Sequence, residues 1–185
     1  MSQLAEVQPT PEQAKQIRDG LRRRETARDP RRMRGLHRIE ITVAGVLAYE
    51  ARDASEREAV MVVSEPPERG GTGGGPSPLS HFLAGAGSCL LNQFVRIAIA
   101  EGYPVRFVTA TVRGEFRREA GGKFQAIRYE IHAEGNVVGV PLDSLVERAE
   151  RLCYVHNTLR PTVEMTTRLH LNGELVHERH SRPGS

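Results

Sequence analysis

The chain has 185 residues, of which 38% are hydrophobic and 26% charged, a balance that builds one compact core with a modest appendage and excludes collagen-like, mucin-like and wholly disordered chains. Its two cysteines, Cys89 and Cys153, are too few for a disulfide-stapled secreted scaffold or a four-thiolate zinc site. The net charge of +3 is unevenly placed: residues 1–38 carry ten basic against five acidic residues, and the remainder is close to neutral.

Residues 1–38 are expected to form a basic, helical N-terminal arm. PEQAKQIRDGLRRR, from Pro11 to Arg24, sets Ala14, Ile17 and Leu21 three and four apart, the spacing of a surface helix. A nucleic-acid partner would rest on Arg22, Arg23, Arg24, Arg28, Arg31, Arg32, Arg34 and Arg38 alone. Only two of the 26 basic residues are lysines, which reads as codon bias rather than a phosphate-binding surface, so none is expected. No apolar run approaches the roughly 18–20 residues of a membrane span, and the start lacks the basic-then-apolar order of a secretory signal. No membrane partner is expected, and the expected location is the cytoplasm.

A single domain is expected over residues 39–176. Ile39, Ile41 and Val43 alternate with polar neighbours as in a half-buried strand, and EAVMVVSE at 58–65 reads as a second. Five glycines and two prolines within residues 70–78 then require a loop. No lysine-serine or lysine-threonine pair follows these glycines, which argues against a phosphate-cradling loop. Ser77-Pro78 suits instead the N-cap and first turn of a helix.

That helix, from Leu79 to about Glu101, is the most hydrophobic segment, with Leu79, Phe82, Leu83, Ala86, Leu90, Phe94, Ile97 and Ala98 at helical spacing. Residues 84–88, just before Cys89, are all small, and glycine costs about 1 kcal/mol relative to alanine inside a helix. A neighbouring helix or a ligand is therefore expected to approach the backbone there. VRFVTATVRGEFRRE and FQAIRYEIHAEG flank AGGK as a hairpin. PLDSLVERAERLCYV is a second amphipathic helix with Leu142, Leu145, Val146, Ala149, Leu152 and Cys153 on one face, and VEMTTRLHL returns to strand period. The last residues, 177–185, read as a tail. The order of elements gives an α+β class, with helices covering a sheet from one side.

The chemistry concentrates on the two thiols, 64 residues apart and each on a face expected to be buried. Free cysteine is among the most buried residue types, so both read equally as small core residues. The alternative is a reactive pair, with an attacking thiolate at Cys89 and a resolving thiol at Cys153. His81 and His156 lie near the cysteines, but neither His-Cys spacing is a zinc motif, and no metal site is expected.

The stretch GGGPSPLSHFLAGAGSCLLNQ resembles the first signature of the OsmC/Ohr family, a glycine-rich loop leading through proline into a long buried helix with the reactive cysteine. RAERLCYVHNTLRP is similar to the second signature, and the resemblance covers residues 39–172. It implies an antiparallel sheet packed on a long central helix and a second helix, in an intertwined homodimer with sites at the subunit interface. It further implies thiol-dependent reduction of organic hydroperoxides, with Cys89 peroxidatic, Cys153 resolving, an external dithiol as reductant and no metal, flavin or haem. Phe82, Leu83, Leu90 and Phe94 would line an apolar entrance on this reading, although core packing accounts for them equally well.

The sequence also departs from the family pattern. The resemblance calls for an arginine beside the thiolate and a glutamate orienting it, the latter just after the helix-opening proline, where this chain has Leu79 and Ser80. Glu50, Glu65 and Glu68 are candidates for the glutamate. Arg52 and Arg69 are candidates for the cation, Arg52 being preferred because it follows the first strand and an adjacent arginine depresses a thiol pKa. Tyr154 stands where the family commonly has proline, with consequences for the bend that presents Cys153. The alternative function is a protein binding a small hydrophobic ligand on the same scaffold.

Overall fold

The computed structural model describes residues 6–26, 37–53, 59–117, 121–136 and 139–184, which divide into two compact units. One lies within residues 37–84. The other joins residues 6–26 to residues 85–184. Of the eight arginines on which a nucleic-acid partner would rest, Arg28, Arg31, Arg32 and Arg34 lie outside the described residues.

The first unit is an antiparallel three-stranded sheet in the order β1 (Ile39–Gly45), β2 (Ala48–Asp53), β3 (Ala59–Ser64). The single run read as the first strand is thus a hairpin, turning at Leu47, which takes a positive φ of 48°. Register puts Ile41 opposite Ala51, and Ala51 opposite Met61, so the alternating apolar residues share one face. That face is open in the single chain: Ile41 is 69% and Val43 72% exposed.

The glycine-rich loop folds back on the end of β3. A Cβ on Gly71 would fall 1.9 Å from the Glu65 carbonyl oxygen, and one on Gly75 2.3 Å from that of Val62, so backbone packs on backbone where no side chain fits. The Gly73 amide donates to the Glu65 carbonyl (3.1 Å) and the Thr72 amide to the Ser64 hydroxyl (3.1 Å). These two amides are spent on the chain itself. The Ser80 amide donates to Ser77 Oγ (3.3 Å), and α2 (Pro78–Glu101) begins as the capping pair predicts.

The second unit is built on a four-stranded sheet in the order β4 (Val105–Arg117), β5 (Lys123–Gly135), β6 (Glu164–Leu171), β7 (Glu174–Ser181). The hairpin β4–β5 forms as expected, but the sheet is not purely antiparallel, because β5 and β6 run parallel. Parallel neighbours need a long crossover, and residues 136–163 supply it with α3 (Leu142–Leu152) and α4 (Tyr154–Leu159). Residues 177–181, read as the start of a tail, are the larger part of β7, which pairs with β6. Their charged side chains concealed the strand: Arg179 and Glu178 pair with neighbours rather than facing bulk solvent alone.

Ile127, Tyr129, Ile131 and Ala133 of β5 and Met165 and Leu169 of β6 share one buried core with Leu90, Phe94 and Ile97 of α2 and Leu145, Val146 and Ala149 of α3. By length and composition α2 is also long and apolar enough to cross a bilayer, with a mean hydropathy of 1.4 over its best window, contrary to the expectation that no segment is; a core helix has the same profile. The N-terminal helix α1 (Pro11–Thr26) opens with a capping box in which the Thr10 and Gln13 side chains accept each other's main-chain amides. It is no separate arm in the structure: Leu21 joins the core, and Arg148 of α3 binds both Glu25 of α1 (2.6 Å) and Glu101 of α2 (2.5 Å).

Candidate functional site

Cys89 lies two residues beyond Gly87, whose absent side chain admits β4: a Cβ there would fall 2.5 Å from Val112 Cγ2. The element that approaches the small-residue segment at Gly87 is thus a strand. Ala86, Leu90, Phe94 and Ile97 fix the inward side of α2 and leave Cys89 half-buried at its margin. Leu90 and Phe94, considered for an apolar entrance, are core residues.

Cys153 marks the break between α3 and α4. Its φ of −82° and ψ of 113° are extended, so it ends one helix and caps the next, its sulfur accepting the His156 amide at 3.4 Å. The amphipathic segment is therefore two helices, and the bend forms with Tyr154 where proline was expected. It turns the Cys153 sulfur to within 3.2 Å of the Cys89 sulfur, with the Cys153 thiol donating. Both cysteines are reduced, Cys153 fully buried.

The two thiols are electrostatically unlike. The hydrogen bond from Cys153 is the chief cause that brings the Cys89 pKa down to about 6; burial opposes it, and the main-chain amides of Val155 and Tyr154 and then the charge of Arg24 assist. Cys153, holding the shared proton and buried, is pushed far above the ordinary thiol range. The arrangement favours the thiolate at Cys89, with Cys153 as the thiol that donates to it.

Arg24, from α1, was not singled out among the arginines of the arm. Its guanidinium donates to the Leu152 carbonyl and to Gln93 Oε1 (3.3 Å) and lies over the Tyr154 ring, 4.2 Å from its centroid. The available signal was Leu21: it marks the inward side of α1, and Arg24, three residues on, shares it. Arg52 lies on β2 in the other unit, opposite Glu40 and Val60. Glu65 and Arg69, each a candidate for a different role, pair with one another at 3.4 Å. Glu50 stands opposite Thr42 and Val62 on β2, and Glu68 lies in a 3-10 turn. His81 bonds back to the Ser77 carbonyl (3.3 Å) at the start of α2, whereas His156 is buried in the second unit.

The family model described as OsmC-like protein matches residues 71–168, which span both cysteines. No curated protein matches the sequence significantly. Among solved structures, an OsmC-like protein from Mycoplasma pneumoniae is similar with a TM-score of 0.65 at 15% identity, over 75% of this chain and 99% of that one. An organic hydroperoxide resistance protein from Elizabethkingia anophelis, with crystallant-derived thiocyanate bound, gives 0.57 at 20% identity over 76% and 100%. An organic hydroperoxide resistance protein from Legionella pneumophila gives 0.52 at 20% identity over 75% and 98%. At these identities the likeness is one of fold: mixed α+β, with two sheets and four helices among the described residues.

Proposed function

The chain belongs to the OsmC-like protein family, and from that premise we propose that it is a cytoplasmic thiol peroxidase that reduces organic hydroperoxides through Cys89 and Cys153. The observation that carries this reading is the 3.2 Å approach of the two sulfurs, and the hydrogen bond between them holds the more accessible one, Cys89, below the ordinary thiol pKa. The Cys89 thiolate attacks the distal peroxide oxygen, the O–O bond breaks, the alkoxide leaves as alcohol after taking up a proton, and Cys89 becomes a sulfenic acid. Cys153 condenses with it to a disulfide and water, and an external dithiol restores both thiols by exchange. The neighbours named for organic hydroperoxide resistance support this substrate class.

Two arginines are proposed to serve the thiolate: Arg24, which clamps the residues on either side of Cys153, and Arg52, the candidate preferred from its place in the sequence. Alanine substitution of each, followed by titration of Cys89, assigns the role, a raised thiol pKa marking the arginine that serves. The protein is further proposed to work as an intertwined homodimer, the open apolar face of β1–β3 being covered by a second copy. The deciding experiment is consumption of cumene hydroperoxide with a dithiol donor. Cys89→Ser abolishes it on this reading, and activity surviving that substitution refutes it and leaves ligand binding on the same scaffold.

A further inference from the structure

Behind Cys153 lies a group of buried polar side chains that the steps above do not use. His156 is 1% exposed, and neither ring nitrogen has a hydrogen-bond partner; the Tyr129 hydroxyl is likewise buried without one. Their rings are 6.2 Å apart, and burial first, then the neighbouring cysteine pair, pushes the Tyr129 pKa above the ordinary range. On the far side, His156 Nε2 stands 4.0 Å from Oε2 of Glu150, itself buried and held by Arg179 Nε at 3.1 Å. Glu150 and Arg179 also line a polar cavity of about 300 Å³ with Glu147, Arg151, Asn157 and Arg160. The His156 main chain reaches the Cys153 sulfur at 3.4 Å, its ring lies between the Tyr129 ring and the Glu150 carboxyl, and Glu150 lines that cavity. Orphaned buried polar atoms in such a row are the places that ordered water fills.

We propose that Tyr129, His156 and Glu150 form a hydrated relay that carries the Cys153 proton between the buried thiol and the polar cavity. The proposal rests on the cysteine-pair reading above. In disulfide formation the Cys153 S–H gives its proton to the relay and the sulfur attacks the Cys89 sulfenic sulfur. The S–S bond forms as the S–OH bond breaks, the Cys153 sulfur is oxidised and the Cys89 sulfur reduced, and the departing hydroxide takes up a proton as water. In reduction a dithiol attacks the Cys89 sulfur, Cys153 leaves as thiolate, and the relay returns its proton.

A relay is needed because Cys153 is fully buried, and burial disfavours the thiolate that must attack. The groups facing His156 are Tyr129 of β5, Glu150 of α3, Arg160 after α4 and Arg179 of β7. Burial first, then the two arginines, hold its pKa down to about 4. A neutral imidazole accepts on one nitrogen while releasing from the other.

The test follows the Cys153 step without peroxide. The full-length reduced protein is converted to the Cys89–glutathione mixed disulfide, and glutathione release by Cys153 is timed from pH 6 to 9. His156→Phe is expected to slow release at pH 7 by about 10²-fold, the lower end for a lost proton-transfer group, with the deficit narrowing as hydroxide takes over at high pH. Tyr129→Phe, which keeps the packed ring and removes one oxygen, is expected to slow it in the same direction. Release at the wild-type rate across the range in both variants overturns the relay. Sulfenic acid formation with cumene hydroperoxide is read separately: a wild-type protein that forms none, yet shows the slowed release in its variants, defeats the peroxidase reading and leaves the relay standing.

Discussion

The Arg24 guanidinium stacks on the Tyr154 ring, 4.2 Å from its centroid, so a residue of the N-terminal helix holds the residue that follows Cys153. The same group donates to the carbonyl of Leu152, the residue before it. Arg24→Ala removes a cation from the thiolate and frees both flanks of the bend. The Cys89 pKa is expected to rise above about 6, read from thiolate absorbance against pH. Arg24→Lys restores charge but neither the planar stack nor the fork of donors, and is expected to recover the titration only in part.

Turnover is expected to follow the Cys89 ionisation. Because its pKa is lowered to about 6, peroxide consumption should climb with pH through that value and level off above it, with about a tenth of the plateau rate one pH unit below. Cys153→Ser keeps a hydroxyl donor near Cys89 but removes the resolving sulfur. The initial single turnover should survive it, while the disulfide and steady-state cycling with a dithiol should disappear. A steady-state rate equal to wild type in Cys153→Ser removes the resolving role.

Much of this was legible in the sequence because periodicity and capping are local. The α2 helix, the β4–β5 hairpin and the small residues before Cys89 follow from spacing and glycine placement alone. The pairing of the cysteines was legible only through the resemblance, since nothing local says that a bend at Cys153 turns its sulfur to α2. Arg24 was hidden among like neighbours, because a guanidinium carries the same hydropathy whether it meets water or a carbonyl. The β7 strand was hidden for a related reason: its Glu178 and Arg179 are paired across the sheet and to α3, which a hydropathy pattern registers as solvent.

His156 ties stability to pH. Its pKa in the fold is about 4 against about 6.5 when unfolded, so the folded state resists protonation that the unfolded chain accepts. The associated stability is present above about pH 6.5 and is lost as pH falls toward 4, amounting to roughly 3 kcal/mol across that window. Urea midpoints measured from pH 7 to 4 should therefore fall in the wild type, and fall less steeply in His156→Phe. Parallel slopes would place the acid sensitivity elsewhere.

The open face of the first sheet makes the proposed dimer testable. Ile41 and Val43 present their side chains to solvent in the single chain. Ile41→Glu should shift sedimentation toward the monomer, because a charge buried in an apolar contact costs several kcal/mol unless paired. Unaltered sedimentation at micromolar protein would show that this face is not the contact.

Gly85 and Gly87 lie two positions apart on α2 and should respond oppositely to alanine. At Gly87 the added Cβ meets Val112 Cγ2 at 2.5 Å, well inside contact distance, so β4 must give way or the helix must shift. Overpacking of this kind costs about 1–3 kcal/mol, and the displaced helix carries Cys89 with it. Gly87→Ala is therefore expected to lower the melting temperature and to slow formation of the Cys89–Cys153 disulfide. At Gly85 nothing lies within 4 Å of the added carbon, and the helix interior gains about 1 kcal/mol from alanine. Gly85→Ala should raise the melting temperature and leave disulfide formation unchanged. If both variants melt alike, the approach of β4 to α2 at Gly87 is not as close as Val112 places it.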